Sequence, residues 1–190
     1  MRSCTTAVVD AMEAAARVVV GQQVSVAGAR AVLARIAAAQ GAPLEAVDGG
    51  LVRRFPSHDA LTACDLDLLS LPRVRARALV APAGAIARGD PHLDPGAAPD
   101  DARAMRRVIP GVGPWSAEMI AMRALGDPDA FPASDLGLRR AAAARGLRAV
   151  ERRARSRRPW RAYAARLLWD ADSVSETRRS TGAGAARMTA

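Results

Sequence analysis

The sequence predicts an all-α fold, and three observations support this prediction. Apolar residues recur at spacings of three and four along most of the chain, no stretch of useful length alternates as a half-buried strand would, and residues that can cap helices precede the apolar stretches. Half of the 190 residues are hydrophobic but only 3% are aromatic, so the core must consist largely of Ala, Val and Leu. The length suits one domain or two closely packed lobes.

Two longer helices are predicted at the start of the chain. The first runs from Val8 to Val20 and is interrupted by Gly21. Ser25 caps the second, which Gly41 closes. The buried stripe of this second helix is expected to comprise Val26, Ala29, Val32, Leu33 and Ile36.

The middle of the chain is predicted to contain shorter elements. A loop is expected up to Pro56, Ser57 and Asp65 each cap a short helix, and a longer helical segment over residues 72–88 follows. Residues 89–99 are rich in Pro, and we expect them to form a loop that separates two lobes.

A tight helical hairpin is predicted over residues 100–126, with its second helix opened by Pro114. After a polar loop, Asp135 opens another helix, an Arg-rich helix follows, and a last helix ends near Asp170. Residues 173–190 are small and polar, and we expect them to form a disordered tail.

Positive charge is concentrated in residues 101–170. The whole chain carries 28 basic and 19 acidic residues, and every basic residue is Arg. Residues 101–170 hold fifteen Arg and seven acidic residues, which is +8 of the net charge of +9. Arg suits bidentate contacts with phosphate, although Arg-only usage fits a biased genome composition equally well. If one region meets a polyanion, it is this one.

The cysteine count excludes a thiolate metal centre. Cys4 and Cys64 are too few and too far apart for a zinc or iron–sulfur site, so we expect no metal and no cofactor. Asp10 and Glu13 break the first apolar stretch, which argues against a signal peptide. No apolar run reaches the roughly 18 residues that a membrane span needs. A soluble cytoplasmic protein with reduced thiols and no membrane partner is therefore expected.

The turn of the predicted hairpin has the sequence Ile-Pro-Gly-Val-Gly at residues 109–113. Gly111 and Gly113 can adopt positive φ angles and carry no side chain, so backbone amides there can approach an anion such as phosphate. Ile109 and Val112 would anchor the turn in the core. Taken alone, the turn is equally compatible with a simple connection between two helices.

Four separated stretches, spread in order over roughly residues 8–170, resemble the helix-hairpin-helix DNA glycosylases, and in particular the 3-methyladenine DNA glycosylase II family. They are Val20-Gly-Gln-Gln-Val-Ser-Val26, Ile109-Pro-Gly-Val-Gly-Pro-Trp-Ser-Ala-Glu-Met119, Phe131-Pro-Ala-Ser-Asp-Leu-Gly-Leu-Arg-Arg140 and Arg158-Pro-Trp-Arg-Ala-Tyr-Ala-Ala-Arg-Leu-Leu-Trp169. In that family an acidic residue lies a little over twenty positions after the hairpin glycines, and Asp135 follows Gly113 by twenty-two. The resemblance implies a two-lobed helical fold, here without the β domain that precedes the helices in close relatives.

The resemblance also implies a reaction. A member of this family flips an alkylated purine out of double-stranded DNA and hydrolyses its N-glycosidic bond, which begins base excision repair. Asp135 is the expected catalytic residue, because a carboxylate can stabilise the oxocarbenium charge that develops on the sugar. An N3- or N7-alkylated purine already carries positive charge and leaves without protonation, so one acidic residue suffices. An isolated Asp before a helix is otherwise an ordinary N-cap.

Pocket residues follow from the same resemblance. Trp115 and Trp169 match positions that line the base pocket, where aromatic faces attract a cationic base. Met119 and Leu136 belong to the pocket as well and stand where close relatives carry tyrosines, which leaves the range of substrates open. Trp160 is assigned to packing in the core.

Expected DNA contacts come from the start of the chain, the hairpin and the Arg-rich region. Gln22 and Gln23 match the loop that enters the duplex, and Gln23 is the expected wedge. The other expected contacts are Gly111, Val112, Gly113, Ser116, Arg139 and Arg140. The run of Arg from 152 to 158 fits phosphate contact and a solvated helix face equally well.

The absence of lysine bears on the type of glycosylase. Bifunctional members of the superfamily use a lysine for Schiff-base chemistry, so we expect a monofunctional enzyme. We also expect a monomer that is associated with a bacterial nucleoid. Two alternatives remain open. One is a monofunctional glycosylase for other damaged bases, and the other is a non-catalytic DNA-binding module or an inactive fragment.

Overall fold

The computed structural model describes residues 11–22, 25–48, 51–65, 72–73, 76–77, 80–81, 84, 98–109, 111–142 and 146–187. The chain divides into two compact units, one of which is Thr6–Asp127, while the other contains Pro128–Ala190. Each unit is a helical assembly with its own buried residues.

The first unit contains α1 (Ala11–Val20), α2 (Val26–Gln40), β1 (Pro43–Asp48), β2 (Leu51–Arg53), α3 (His58–Thr62), α4 (Pro99–Val108) and α5 (Pro114–Arg123). Helix α1 packs against α2 and α5, and α4 packs against α5 as the predicted hairpin. The side chain of Ser25 caps α2 by accepting a hydrogen bond of 3.1 Å from the amide of Gly28. Ser57 caps α3 in the same way through the amide of Ala60, so the predicted caps at Ser25 and Ser57 are confirmed, while the short helix predicted after Asp65 lies outside the described residues.

A small antiparallel β-hairpin replaces the loop that the sequence predicts before Pro56. Pro43 pairs with Arg53 and Asp48 pairs with Leu51. The two strands have six and three residues, which is too short for an alternating pattern to stand out. The Gly-Gly dipeptide that separates them in the sequence is a hairpin signal that periodicity alone does not detect. The rest of the described fold is helical, as predicted.

Small and aliphatic side chains build the core of the first unit. The cluster comprises Met12, Ala16, Val19, Val20, Val32, Leu33, Ile36, Leu61, Cys64 and Ala76. Val26 was expected in the buried stripe of α2 but is 72% exposed, because it is the first residue of the helix and the stripe begins one turn later. Burial raises the pKa of the Cys64 thiol, and the charge of Asp65 raises it further.

The second unit contains α6 (Leu136–Ala141), α7 (Leu147–Arg155) and α8 (Arg161–Arg187), and both shorter helices contact α8. Helix α8 reaches Arg187, in place of the helix end near Asp170 and the disordered tail that the sequence predicts. Residues 162–181 contain neither Pro nor Gly, so no strong helix breaker stops α8 earlier. None of the described helices combines the length and the apolar character needed to cross a membrane.

The division between the units also differs from the prediction. Residues 89–97 of the expected boundary lie outside the described residues, and the units meet in sequence at Asp127 and Pro128. The reason is that α5 packs against α1, which joins the helical hairpin to the N-terminal helices.

Arg103 of α4 binds three carboxylates around the helical hairpin. Its guanidinium donates to Glu118 of α5 at 2.8 Å, to Asp127 at 2.7 Å and to Asp100 at 3.1 Å. The hydrogen bond with Glu118 contributes most to raising the pKa of the guanidinium, against the effect of burial, and those with Asp127 and Asp100 raise it further. The side chain of Asp127 is only 7% exposed, so this cluster holds a carboxylate that is nearly removed from water.

A second arginine–carboxylate cluster lies at the start of the second unit. Both carboxylate oxygens of Asp129 accept hydrogen bonds from Arg161, at 2.7 and 2.8 Å, and Arg158 lies 3.0 Å from the same carboxylate. Burial acts to raise the pKa of Asp129, but the hydrogen bonds and charge of Arg161, with the charge of Arg158, outweigh burial and lower that pKa. The amide of Ala162 also donates to the carbonyl of Pro128 at 2.9 Å.

Replacing Arg103 by Met should destabilise the protein, because it removes the cation shared by a half-buried and a nearly buried carboxylate. We expect Arg103→Met to lower the free energy of unfolding by about 2–3 kcal/mol in urea titrations. The matched control is Arg17→Met, which removes an exposed pair with Glu13 within α1 and should cost less than about 0.5 kcal/mol. Equal losses in the two variants would contradict the role given to Arg103.

Candidate functional site

Asp135 lies immediately before α6 and its carboxylate is held by two N–H donors. Oδ1 accepts a hydrogen bond of 3.0 Å from the amide of Leu138, which makes Asp135 the N-cap of α6. The same oxygen accepts a hydrogen bond of 2.8 Å from the indole Nε1 of Trp169 in α8. The side chain is therefore more than an ordinary N-cap, because a second element of the unit fixes its orientation.

Gly137 is a residue of this site that sequence reasoning missed. A Cβ atom added there would lie 3.0 Å from Cδ1 of Trp169 and 3.2 Å from Oδ1 of Asp135. The available signal was a glycine in the first turn of a short helix, where the residue is unfavourable unless packing requires it.

The four residues predicted to line a base pocket are distributed over both units. Leu136 and Trp169 belong to the second unit with Asp135, and Leu136 is 66% exposed. Trp115 and Met119 lie on α5 of the first unit, where Trp115 is half-buried and Met119 is buried. Within the second unit, the structure shows Trp169 to be a hydrogen-bond donor as well as an aromatic surface.

The turn between α4 and α5 matches most of its prediction. Gly111 has φ +88°, a conformation that favours glycine, and Ile109 and Val112 are each only 4% exposed, so they anchor the turn as predicted. Gly113 differs from the prediction, because its φ of −88° is open to any residue. A Cβ atom at Gly113 would meet nothing within 4 Å, so neither the backbone nor packing requires glycine there.

Gln22 contacts the hairpin turn and does not project away from the protein. Its Nε2 donates to the carbonyl of Gly111 at 3.0 Å and to Oγ of Ser116 at 2.6 Å. Gln22 was expected in the loop that enters the duplex, and in this structure its side chain holds the hairpin turn. Ser116, which was also expected to contact DNA, is only 2% exposed, and its Oγ accepts the hydrogen bond from Gln22. Gln23, the expected wedge, lies outside the described residues.

The two arginines of α6 have different surroundings. Arg139 is exposed. Arg140 donates two hydrogen bonds to Asp172 of α8, the shorter at 2.7 Å, and the carboxylate of Asp172 is only 10% exposed. Arg140, expected at DNA, therefore has a structural partner that ties α6 to α8.

The Arg-rich run shows a similar mixture. Arg158 pairs with Asp129, and the guanidinium of Arg153 donates to the carbonyl of Ala142. Arg152, Arg155 and Arg157 are exposed at the surface.

Trp160 was assigned to the core, but it is 58% exposed. It lies in the turn before α8, so it is not on the buried face of that helix, and its ring meets Tyr163 edge to face with centroids 5.7 Å apart. With Leu167 it lines an apolar groove of about 680 Å³ between α7 and α8.

The described residues contain no group of three or more His, Cys, Asp or Glu that could hold a metal ion. The candidate groups that lie at the predicted site positions are the carboxylate of Asp135 with its two described donors and the hairpin turn with Gln22.

Comparison with known proteins supports the same family. The chain is 46% identical over 165 residues to a Mycobacterium tuberculosis protein named probable bifunctional transcriptional activator/DNA repair enzyme AlkA, covering 85% of this chain and 33% of that protein. It is 34% identical over 167 residues to DNA-3-methyladenine glycosylase 2 of Escherichia coli, covering 85% of this chain and 57% of that protein. The chain thus spans between a third and somewhat over half of these curated relatives.

A solved structure agrees with these relatives in fold. The 3-methyladenine DNA glycosylase of Archaeoglobus fulgidus superposes with a TM-score of 0.71 at 26% identity, over 86% of this chain and 58% of that one. No family model matches the chain. The sequence relatives and the shared fold together show that the chain belongs to the helix-hairpin-helix DNA glycosylase superfamily.

Proposed function

We propose that this protein excises alkylated purines of the 3-methyladenine type from double-stranded DNA as a monofunctional glycosylase. The observation that carries the proposal is the carboxylate of Asp135, held on one oxygen by the amide of Leu138 and the indole of Trp169. A carboxylate fixed in this way is suited to stabilise positive charge on a sugar without having to reorganise during the reaction.

Asp135 would act on the sugar, and the damaged base would need no acid. Breaking the N-glycosidic bond of a cationic alkylated purine sends the bonding electrons to the base, which leaves neutral. The sugar then carries oxocarbenium character, which the carboxylate stabilises electrostatically. Water adds to C1′ and loses a proton, so the products are the free base and an abasic site.

The hydrogen bonds around Asp135 orient its carboxylate for this role. Both donors direct their hydrogens to Oδ1, and the first turn of α6 adds the partial positive charge of its amides. The indole ring of Trp169 also offers an aromatic face, which attracts a cationic base. One side chain would thereby orient the carboxylate and help to select the substrate.

DNA binding would use the hairpin of the first unit. The open space in front of Gly113 lets a phosphate approach the backbone at the start of α5, where helix amides favour an anion. Gln22 stabilises this turn from the opposite end of the unit's sequence through Gly111 and Ser116. The net charge of +9 adds a sequence-independent attraction to DNA.

Relatives support the choice of substrate class. The Escherichia coli and Archaeoglobus fulgidus proteins are named as 3-methyladenine glycosylases, and the Mycobacterium tuberculosis protein is named as a DNA repair enzyme. The chain contains no lysine, which supports the proposal that it releases the base without cutting the strand.

The proposal predicts that Asp135→Asn stops base release but preserves DNA binding. Asn caps helices as well as Asp does and keeps an oxygen for the Leu138 and Trp169 donors, so the substitution removes charge with little change in structure. We expect single-turnover release of methylated purines, measured by chromatography, to fall by about 10²- to 10³-fold or more. Affinity for an abasic-site duplex should stay within about threefold. Release near the wild-type rate would transfer the catalytic role to another residue.

Gly113→Val is predicted to weaken DNA binding without unfolding the protein. The backbone at Gly113 accepts a β-branched residue, no side-chain cap is lost, and the new side chain would occupy the space proposed for phosphate. Affinity for undamaged and abasic duplexes should fall alike, by roughly tenfold, as expected for loss of a hydrogen bond to a charged group. Thermal unfolding is the control, and unchanged affinity in a folded variant would show that the hairpin does not bind phosphate.

The absence of lysine predicts that no Schiff base forms during the reaction. Methylated duplex should be incubated with the protein and borohydride, and a denaturing gel should show no covalent protein–DNA adduct. Strand breaks should appear only after hot alkali acts on the abasic site. A bifunctional glycosylase treated in parallel serves as the positive control. An adduct formed at the rate of base release would contradict the monofunctional assignment.

A further inference from the structure

Three atoms surround the place where a side chain at residue 137 would begin. A Cβ atom on Gly137 would lie 3.0 Å from Cδ1 and 3.4 Å from Nε1 of Trp169, and 3.2 Å from Oδ1 of Asp135. The distances of 3.0 Å to Cδ1 of Trp169 and 3.2 Å to Oδ1 of Asp135 are shorter than ordinary van der Waals contact. The hydrogen bond between Trp169 and Asp135 therefore passes directly beside the backbone of Gly137.

Backbone conformation does not explain this glycine. Gly137 is the second residue of α6 and has no positive φ angle, so alanine could adopt the same backbone. Alanine is also favoured over glycine in helices by about 1 kcal/mol. The three nearest atoms that the methyl group of an alanine would meet among the described residues belong to the indole and the carboxylate.

We propose that Gly137 is a positioning residue for catalysis, whose missing side chain lets the indole of Trp169 approach α6 and orient the carboxylate of Asp135. The proposal rests on the function proposed above for Asp135. It assigns Gly137 no contact with substrate, since the residue acts only through the two side chains beside it.

An alanine at residue 137 is expected to lower the rate of base release and to leave the affinity for DNA nearly unchanged. The new methyl group would push the indole away from Oδ1, whereas the amide of Leu138 would continue to cap Asp135 from within α6. The carboxylate would lose one of its two described orienting donors. Displacements of about 1 Å in such groups can lower a rate by about 10²-fold, so we expect slower release with nearly unchanged DNA affinity.

The test compares Gly137→Ala, Trp169→Phe and the double variant by single-turnover release of methylated purines. We expect Gly137→Ala and Trp169→Phe each to lower the rate by about 10- to 100-fold and to keep the affinity for an abasic duplex within about threefold. The double variant should be no slower than Trp169→Phe alone, because the two changes break the same hydrogen bond. Losses that multiply in the double variant would overturn the proposal.

A spectroscopic measurement separates positioning from a general effect on folding. The indole N–H of Trp169 gives one resonance in a proton–nitrogen spectrum, which Trp169→Phe identifies by its disappearance. Gly137→Ala should move this resonance towards the position of a solvent-exposed indole and leave those of Trp115 and Trp160 unchanged. An unmoved Trp169 resonance would overturn the proposal.

Two reference variants complete the experiment. Gly28→Ala makes the same substitution in the first turn of α2 and should change neither the release rate nor the Trp169 resonance. Asp135→Asn tests the underlying function. If it is inactive while Gly137→Ala releases base within about twofold of the wild-type rate, only the role of Gly137 is wrong. If Asp135→Asn itself stays active, the catalytic role proposed for Asp135 fails, and the role of Gly137, which acts through Asp135, fails with it.

Discussion

Arginine–carboxylate pairs fix the parts of this protein on which its candidate sites depend. Asp127 and Asp129 stand on either side of Pro128, and each is bound by arginine within its own unit. Arg103 thereby closes the helical hairpin, and Arg161 with Arg158 anchors the beginning of the loop that leads to Asp135. With only 3% aromatic residues and a core of small side chains, apolar contact area per residue is modest, and bidentate ion pairs supply directional restraint that such packing lacks.

Each candidate site has a glycine beside a polar group whose position is fixed by hydrogen bonds. At the hairpin, Gly113 leaves open space while Gln22 holds the adjoining turn through Gly111 and Ser116. At α6, Gly137 leaves room for the indole that orients Asp135. In each case a long-range hydrogen bond fixes the shape, and a glycine leaves space beside it. Gln22 and Trp169 donate these hydrogen bonds. From the sequence, Gln22 was expected to contact DNA and Trp169 to line the base pocket.

Local signals in the sequence predicted much of the fold. Ser25, Ser57 and Asp135 were identified as helix caps because capping depends on residues a few positions apart. The β-hairpin was missed because its strands are short, and the exposure of Trp160 was missed because a helical apolar pattern does not show where a helix begins. The contacts of Gln22, Arg140 and Gly137 link positions far apart or depend on shape, which one sequence does not reveal.

The buried thiol of Cys64 has a consequence for a protein proposed to act on methylated DNA. Methylating agents react with nucleophiles, and a thiolate is far more reactive towards them than a thiol. Cys64 is 8% exposed and its pKa is raised by burial and by the charge of Asp65, so at neutral pH it is protonated and shielded from solvent. The chain also lacks lysine amines. The thiol of Cys64 is therefore protected from the methylating agents that would generate the proposed substrate.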